Sequence, residues 1–390
     1  MGTQEMIVPG QWVVSVKPYL TPNLVETEHF STVQEKTADA SSFHVEVCEK
    51  FNLPEMTGYS AKFDETTKAA LESMPHVLSV EQEQFYDHCA VQANAPWGLG
   101  RISTRAPIGP SPYSYTYRDE MSGRGTIAYV IDTGINHQHV EFEDRATKGP
   151  TFVSDGSSGE DVHGHGTHCA GTIASRAYGV AKKAGVIGVK VFSDRTGYAM
   201  TSDIIRGLDW VVKDVATRGI KGRAVVNMSL GGGISTALDA AVASTVRQGI
   251  VVCVAAGNAS NVLAESQSPG REPLAITVGA TNIADELATF SSSGKVVDIL
   301  APGVDILSCW VGGRQASNTI SGTSMATPHA AGVACCLLSD NAMIPRECGD
   351  VMAKILILAD KNRIRGANAQ PLDGRTVNAL LHNSTSFTDV

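Results

Sequence analysis

Asp132 ends the apolar run Tyr129, Val130, Ile131 and is followed by Thr133 and Gly134. A carboxylate there can cap a helix or turn, or form half of a two-carboxylate acid/base pair. The last use needs a second Asp-Thr-Gly triplet, and the sequence has none. Farther along, His163, His165 and His168 fall within six residues, among Gly164, Gly166, Thr167 and Ala170. Histidines at this spacing could bind a metal, since imidazole is the commonest ligand. The small residues between them favour a general base held at the start of a tightly packed helix. Ser324 lies in a third segment, from Gly322 to Gly332, which contains Pro328. Proline is tolerated near the first turn of a helix, so the spacing predicts a helix N-terminus at Ser324, where the dipole and unpaired N–H groups favour a developing negative charge. A serine at a helix start is also a common cap. That use would leave the other two segments unexplained.

Side chains so far apart in sequence need a scaffold that brings them together. Near-continuous apolar runs at 127–131, 186–192, 224–228, 250–256 and 276–280 read as strands covered on both faces. With amphipathic helices between them they predict a parallel sheet, and ligands gather at the carboxyl ends of such strands. Ser202 is the expected cap of a helix carrying Ile204, Ile205, Leu208, Val211, Val212 and Val215 at helical spacing until Gly219. Ser235 starts a second helix that ends at Gly249, and an apolar helix of small residues is expected from Pro328 to Leu338. The first quarter reads differently, with strands at 11–16, 43–47, 58–63 and 77–80. A polar helix after Pro22 reaches Lys36, and another is capped by Asp64 and ends near Ser73. Strand, helix, strand, strand, helix, strand is the ferredoxin-like order. Residues 81–95 lose periodicity and are expected to form an exposed tail.

A chain of 390 residues exceeds what one core usually covers, which predicts a large domain plus something smaller, or two domains. With 43% hydrophobic and 18% charged residues it fits a soluble globular protein, and its 38 glycines, lacking a fixed period, exclude a collagen-like chain. No apolar stretch is long enough to span a membrane. Residues 1–89 hold five Lys and no Arg against three Asp and eleven Glu, so the whole formal charge of −9 sits in that quarter. This acidic balance, without a basic stripe, argues against a nucleic-acid partner held by phosphate contacts.

The segments YVIDTGI at 129–135, GHGTHCAG at 164–171 and SGTSMATPHAAG at 321–332 resemble the signature blocks of the subtilisin-like serine proteases, in the order Asp, His, Ser. NAPWGL at 94–99, YGVAKKAGVIGVKV at 178–191, MSLGGG at 228–233 and AAGN at 255–258 are similar to the proteinase K branch. The resemblance implies an α/β protein: a subtilisin-like three-layer fold with a central, mostly parallel sheet, preceded by a small ferredoxin-like α+β propeptide domain. Residues 1–89 would be the propeptide and 90–390 the catalytic domain. It further implies a serine endopeptidase working through an acyl-enzyme, with Ser324 as nucleophile, His165 as base and Asp132 as the orienting carboxylate. Asn258 and the Ser324 N–H would form the oxyanion hole. Ser229, Leu230 and Gly231 would make one edge for an extended peptide, and Ala255, Ala256 and Gly257 the wall of the primary pocket, giving broad specificity with an apolar preference.

One structural Ca²⁺ is implied by the same resemblance, on the carbonyls of Pro273 and Ala275 and the carboxylate of Asp298; no catalytic metal or organic cofactor is implied. The expected partners are polypeptide substrates and the chain's own propeptide as intramolecular inhibitor, with a monomeric enzyme, no nucleic acid and no membrane. Cleavage is expected near Cys89 and Ala90. Four of the eleven histidines, His76 and His88 among them, lie in the propeptide, whose release is expected to respond to protonation. Of the eight cysteines, Cys169, Cys253, Cys335 and Cys336 read as buried thiols, and Ile276 stands where the branch has a disulfide partner. The family is mostly secreted, which makes secretion the expectation, yet residues 1–10 lack the apolar core of a signal peptide, so a start farther upstream, a different export route and an intracellular member all stay open. Among three N-x-S/T sequons, Asn227 and Asn258 fall in the site and Asn383 is the expected acceptor. A catalytically silent homologue acting by binding would normally lose a triad residue or Asn258. A metal hydrolase would need carboxylates at zincin spacing, which are absent.

Overall fold

The computed structural model describes residues 7–17, 29, 32, 45–84, 89–340, 347–370 and 372–383. They fall into two units, within 7–84 and 89–383. In the first, β1 (Ile7–Val16), β2 (Glu46–Leu53), β3 (Met56–Lys62) and β4 (Val77–Gln84) form an antiparallel sheet in the order β2-β3-β1-β4, the ferredoxin-like arrangement. Trp12, Val14, Tyr59, Ala61, Phe63 and Leu71 build its core. Helix α1 (Glu65–Glu72) starts where expected, because the Asp64 carboxylate accepts the Thr67 N–H at 2.8 Å. Strand β2 begins three residues later than its sequence suggests. Its register is fixed from the other end, where Leu53 faces Met56 across the two-residue turn of Pro54 and Glu55. Of the helix expected between 22 and 36, only residues 29 and 32 are described, and both are helical.

The second unit opens with a correction. The tail expected over 81–95 is strand wherever it is described: 81–84 complete β4, and β5 (Cys89–Ala95) pairs antiparallel with β6 (Tyr113–Arg118). Then come β7 (Ile127–Asp132), β8 (Ala146–Thr151), β9 (Gly185–Lys190), β10 (Ala224–Met228), β11 (Val251–Ala255), β12 (Ile276–Thr281), β13 (Ile299–Pro302), the hairpin β14 (Ile306–Cys309) with β15 (Ser317–Ile320), and the short β16 (Asp360–Lys361) and β17 (Ala379–Leu380). The central sheet runs β16-β17-β13-β12-β11-β10-β7-β9-β8, parallel throughout except between β16 and β17.

Side chains alternate along each strand, so Ala128, Val130, Val225 and Val251 face one layer while Tyr129, Ile131, Val226 and Val252 face the other. Helices α2 (Trp97–Ile102), α3 (His165–Ala174), α4 (Thr201–Arg218), α5 (Thr236–Arg247), α6 (Thr323–Ser339) and α7 (Cys348–Leu358) complete the sandwich. α4 and α5 cover one face, while α3, α6 and α7 cover the other. α4 starts at Thr201 behind Met200, with no side-chain cap, so Ser202 lies inside its first turn instead of before it; Gly219 closes it at φ +66°. Ser235 caps α5 through the Leu238 N–H, as expected. Among the described residues no helix is long and apolar enough to cross a membrane.

Candidate active site

Asp132 ends β7 and His165 begins α3, both at the carboxyl edge of the sheet. Gly166 makes their approach feasible: a Cβ there would stand 2.1 Å from the Gly134 carbonyl oxygen, so any side chain would push α3 off the loop after Asp132. His165 Nδ1 lies 2.9 and 3.0 Å from the two Asp132 oxygens, and Asp132 Oδ1 also accepts the Thr133 N–H at 2.7 Å. A buried carboxylate on Nδ1 keeps the proton there and leaves Nε2 as the basic nitrogen. Burial alone would lower the His165 pKa; attraction and hydrogen bonding from Asp132, with a further contribution from Asp161, outweigh it and hold the pKa above its ordinary value.

Ser324 sits in the first turn of α6, and its Oγ donates to the Ser229 carbonyl at 3.2 Å. Pro328 is the sixth residue of this helix, deeper than the first turn expected for it. At that depth it lacks the N–H that would have bonded the Ser324 carbonyl. Two side chains take its place: Ser229 Oγ donates to that carbonyl at 2.8 Å and Cys169 Sγ at 3.4 Å. Asn258 is oriented just as firmly. Its Oδ1 accepts the backbone N–H and the hydroxyl of Thr323, both at 2.8 Å, which leaves Nδ2 as the available donor. A Cβ on Gly322 would lie 3.5 Å from both Asn258 Nδ2 and the Ser324 backbone nitrogen, so the glycine leaves open a space flanked by two N–H donors.

A cleft of about 450 Å³ brings together Asp132, His165, Ser324, Ser229, Leu230 and Gly231, with Val162 and Phe192 adding apolar surface. Ser229 differs from its expected role in one respect: its hydroxyl turns inward to Ser324 and also accepts from Asn227 Nδ2 at 2.9 Å. Ala255, Ala256 and Gly257 do not line this cleft. Ala255 and Ala256 are buried at the end of β11, and Gly257 is held by the Thr323 hydroxyl, which accepts its N–H, and by the Ser292 N–H, which donates to its carbonyl. Pro273 and Ala275 precede β12, in which Thr277 donates its N–H to the Asp298 carboxylate at 2.8 Å. Asp298 is half-buried, without a cationic partner among the described residues, and partial desolvation raises its pKa to about 6.

The three histidines do not converge on one point. His168 packs inside, its Nε2 2.9 Å from the Ile306 carbonyl, with burial lowering its pKa to about 4. His163 lies on the loop before α3. Cys169, Cys253, Cys335 and Cys336 are buried thiols, as expected, and burial raises the pKa of each. Asn383 is a poor glycosylation acceptor, since it is buried and its amide donates to the Thr116 carbonyl at 2.8 Å. Two residues of the site escaped the sequence reading. Thr323 aims Asn258, and the buried Lys190 amine donates to the Thr133 carbonyl and to Asp194, both at 2.6 Å, bracing the loop after Asp132. Both lie inside quoted segments, Thr323 in 321–332 and Lys190 in 178–191, but nothing local in the sequence marks the bonds they make.

The pattern of the Subtilase family matches residues 123–370, and that of the Peptidase inhibitor I9 family residues 11–88. Alkaline protease 1 of Aspergillus clavatus is 43% identical over 341 residues, covering 85% of this chain and 82% of that protein. Proteinase R of Parengyodontium album is 48% identical over 282 residues, covering 72% and 70%. The crystal structure of a cold adapted subtilisin-like serine proteinase superposes with a TM-score of 0.66 at 41% identity, over 75% of this chain and 100% of that one. With a peptidase pattern across the sheet that carries Asp132, His165 and Ser324, and an I9 pattern across the ferredoxin-like unit, this chain belongs to the subtilase family of serine proteinases.

Proposed function

We propose that this protein is an endopeptidase of broad, apolar-preferring specificity that cuts through Ser324, His165 and Asp132. The reading rests on one arrangement: His165 clamped by Asp132 on one nitrogen, beside a serine whose own N–H and Asn258 Nδ2 flank a single open space. On substrate binding Ser324 Oγ leaves the Ser229 carbonyl and turns to His165 Nε2, which takes its proton as the oxygen attacks the scissile carbonyl. The two donors stabilise the resulting oxyanion and Asp132 the imidazolium. His165 then protonates the departing amine, and water, deprotonated by the same imidazole, releases the acyl group. Main-chain pairing along Ser229, Leu230 and Gly231 would bind peptides with little regard to sequence, while Val162, Phe192 and Leu230 favour apolar side chains.

The first unit would act as an intramolecular inhibitor, removed by self-cleavage near Cys89 and Ala90. To test both readings, the purified full chain is incubated with and without a serine-directed fluorophosphonate, followed by peptide hydrolysis assays and N-terminal sequencing. Label on Ser324, loss of activity and retention of the original N-terminus are expected with the reagent, and a new N-terminus near Ala90 without it. Full hydrolysis by fully labelled protein would overturn the proposal.

A structural Ca²⁺ suits the donor set around Asp298. A partly desolvated carboxylate without a cation is disfavoured, oxygen donors match a hard divalent ion, and an ion bound to the folded state stabilises it by mass action. Pro273 and Ala275 would supply the carbonyls. Chelation by EDTA should lower Tm by several degrees, and Asp298→Asn should abolish that sensitivity; an unchanged Tm would remove the ion from the account.

A further inference from the structure

We infer that Asp161 is a positioning residue for the base: its carboxylate ties the first turn of α3, and with it His165, to the loop that follows Asp132. This rests on the triad reading above. Asp161 is only 7% exposed and takes four hydrogen bonds. Oδ1 accepts the N–H groups of His163 at 3.0 Å and Gly164 at 2.8 Å, while Oδ2 accepts the Thr167 N–H at 3.0 Å and the Thr167 hydroxyl at 2.6 Å. The Thr167 hydroxyl in turn accepts the Asn136 N–H at 2.8 Å, so one carboxylate reaches both the helix start and, through Thr167, the Asp132 loop.

The placement also has an electrostatic consequence. His165 is the first residue of α3, at the positive end of the helix dipole, where an imidazolium is disfavoured. The N-cap residue, Gly164, has no side chain to offset that field, and Asp161 does so from three residues upstream. Among the described residues, the charged or titratable groups around the His165 ring are Asp132 from β7, Asp161 and His163 from the preceding loop, and His168 and Cys169 from α3 itself. Of these only the two aspartates favour the protonated ring. Asp161 therefore stabilises the imidazolium that forms as Ser324 attacks.

The test uses full-length Asp161→Asn, Thr167→Val and Thr167→Ser variants, with His165→Ala as reference, assayed on a small peptide across pH and checked by thermal unfolding. Asp161→Asn should lower kcat about 10- to 100-fold with KM little changed, the range that misplacement of a reacting group brings. It should also move the acid limb of kcat/KM to lower pH, because an imidazole relieved of a nearby anion loses its proton more readily. Thr167→Val should lower kcat less and leave the limb in place, and Thr167→Ser should restore the rate. A folded Asp161→Asn enzyme with the original kcat and acid limb would overturn the inference. Should that variant not fold, an unchanged kcat in Thr167→Val would do the same. His165→Ala retaining full activity would instead sink the triad reading itself, so the two failures are distinguishable.

Discussion

Asn258 has its function set by what its oxygen is doing. Two donors from Thr323 hold Oδ1, so rotating the amide would place its NH₂ group against two other donors and its oxygen in the space proposed for the oxyanion. Asn258→Ala is therefore expected to lower kcat by about 10²–10³, some 3–4 kcal/mol and the range known for such a donor in a subtilisin, with little change in KM. Asn258→Asp keeps both bonds to Thr323 but offers an acceptor where a donor is needed, and should lose at least as much. Steady-state kinetics at saturating peptide decide it, and a kcat within twofold of the parent would take Asn258 out of the oxyanion hole. Asp132, His165 and Ser324 were legible in the sequence because each lies in a segment whose small residues have no other evident use. Asp161, Thr323 and Lys190 were not legible as site residues, because their importance comes from whom they bond, which no local pattern records.

Pro328 shows what changes when a residue is placed within an element. In the sequence it marks a helix start; as the sixth residue of α6 it deprives the Ser324 carbonyl of its helical partner, and Ser229 with Cys169 must supply replacements. Ser229→Ala would leave that buried carbonyl with the weak thiol alone and Asn227 Nδ2 without its acceptor. The expected cost is about 1–3 kcal/mol, read as a drop in Tm of several degrees, with reduced kcat because the peptide unit of Ser324, the proposed nucleophile, is loosened. A variant with unchanged Tm would show the carbonyl to be satisfied otherwise. The buried strands β7, β10, β11 and β12 were readable because a sheet covered on both faces needs apolar residues at nearly every position. Strand β5 was not, since it has mostly exposed positions and owes its conformation to the ladder with β6, whose partner residues begin eighteen positions later at Tyr113. The four-residue β13 is similarly too short to show a period.

At the scale of the whole molecule the charge is divided, with −9 on the first 89 residues and none on the rest, so acid acts unequally on the two units. The first unit also buries an imidazole. His29 is 0% exposed, with Nδ1 2.5 Å from His76 Nε2 and Nε2 2.9 Å from the Tyr59 hydroxyl. Burial first, and the neighbouring His76 second, lower its pKa from 6.5 to about 4. Unfolded chain therefore takes up this proton before folded chain does, so the stability it represents is complete above pH 6.5 and is lost as pH falls toward 4. The amount is up to ~3 kcal/mol, enough to matter for a small domain. Full-length Ser324→Ala protein, which should not process itself, allows the measurement by hydrogen exchange. Amides of β1 and β3 should lose protection between pH 6.5 and 4.5 while those of β10 and β11 keep theirs. His29→Gln should flatten the response of the first unit. Carboxylates titrating in the same unit would affect both proteins alike, so the difference between them isolates the imidazole. Equal pH profiles for the two would mean that His29 does not govern the unit's stability, and acid release of the propeptide would lose its physical basis.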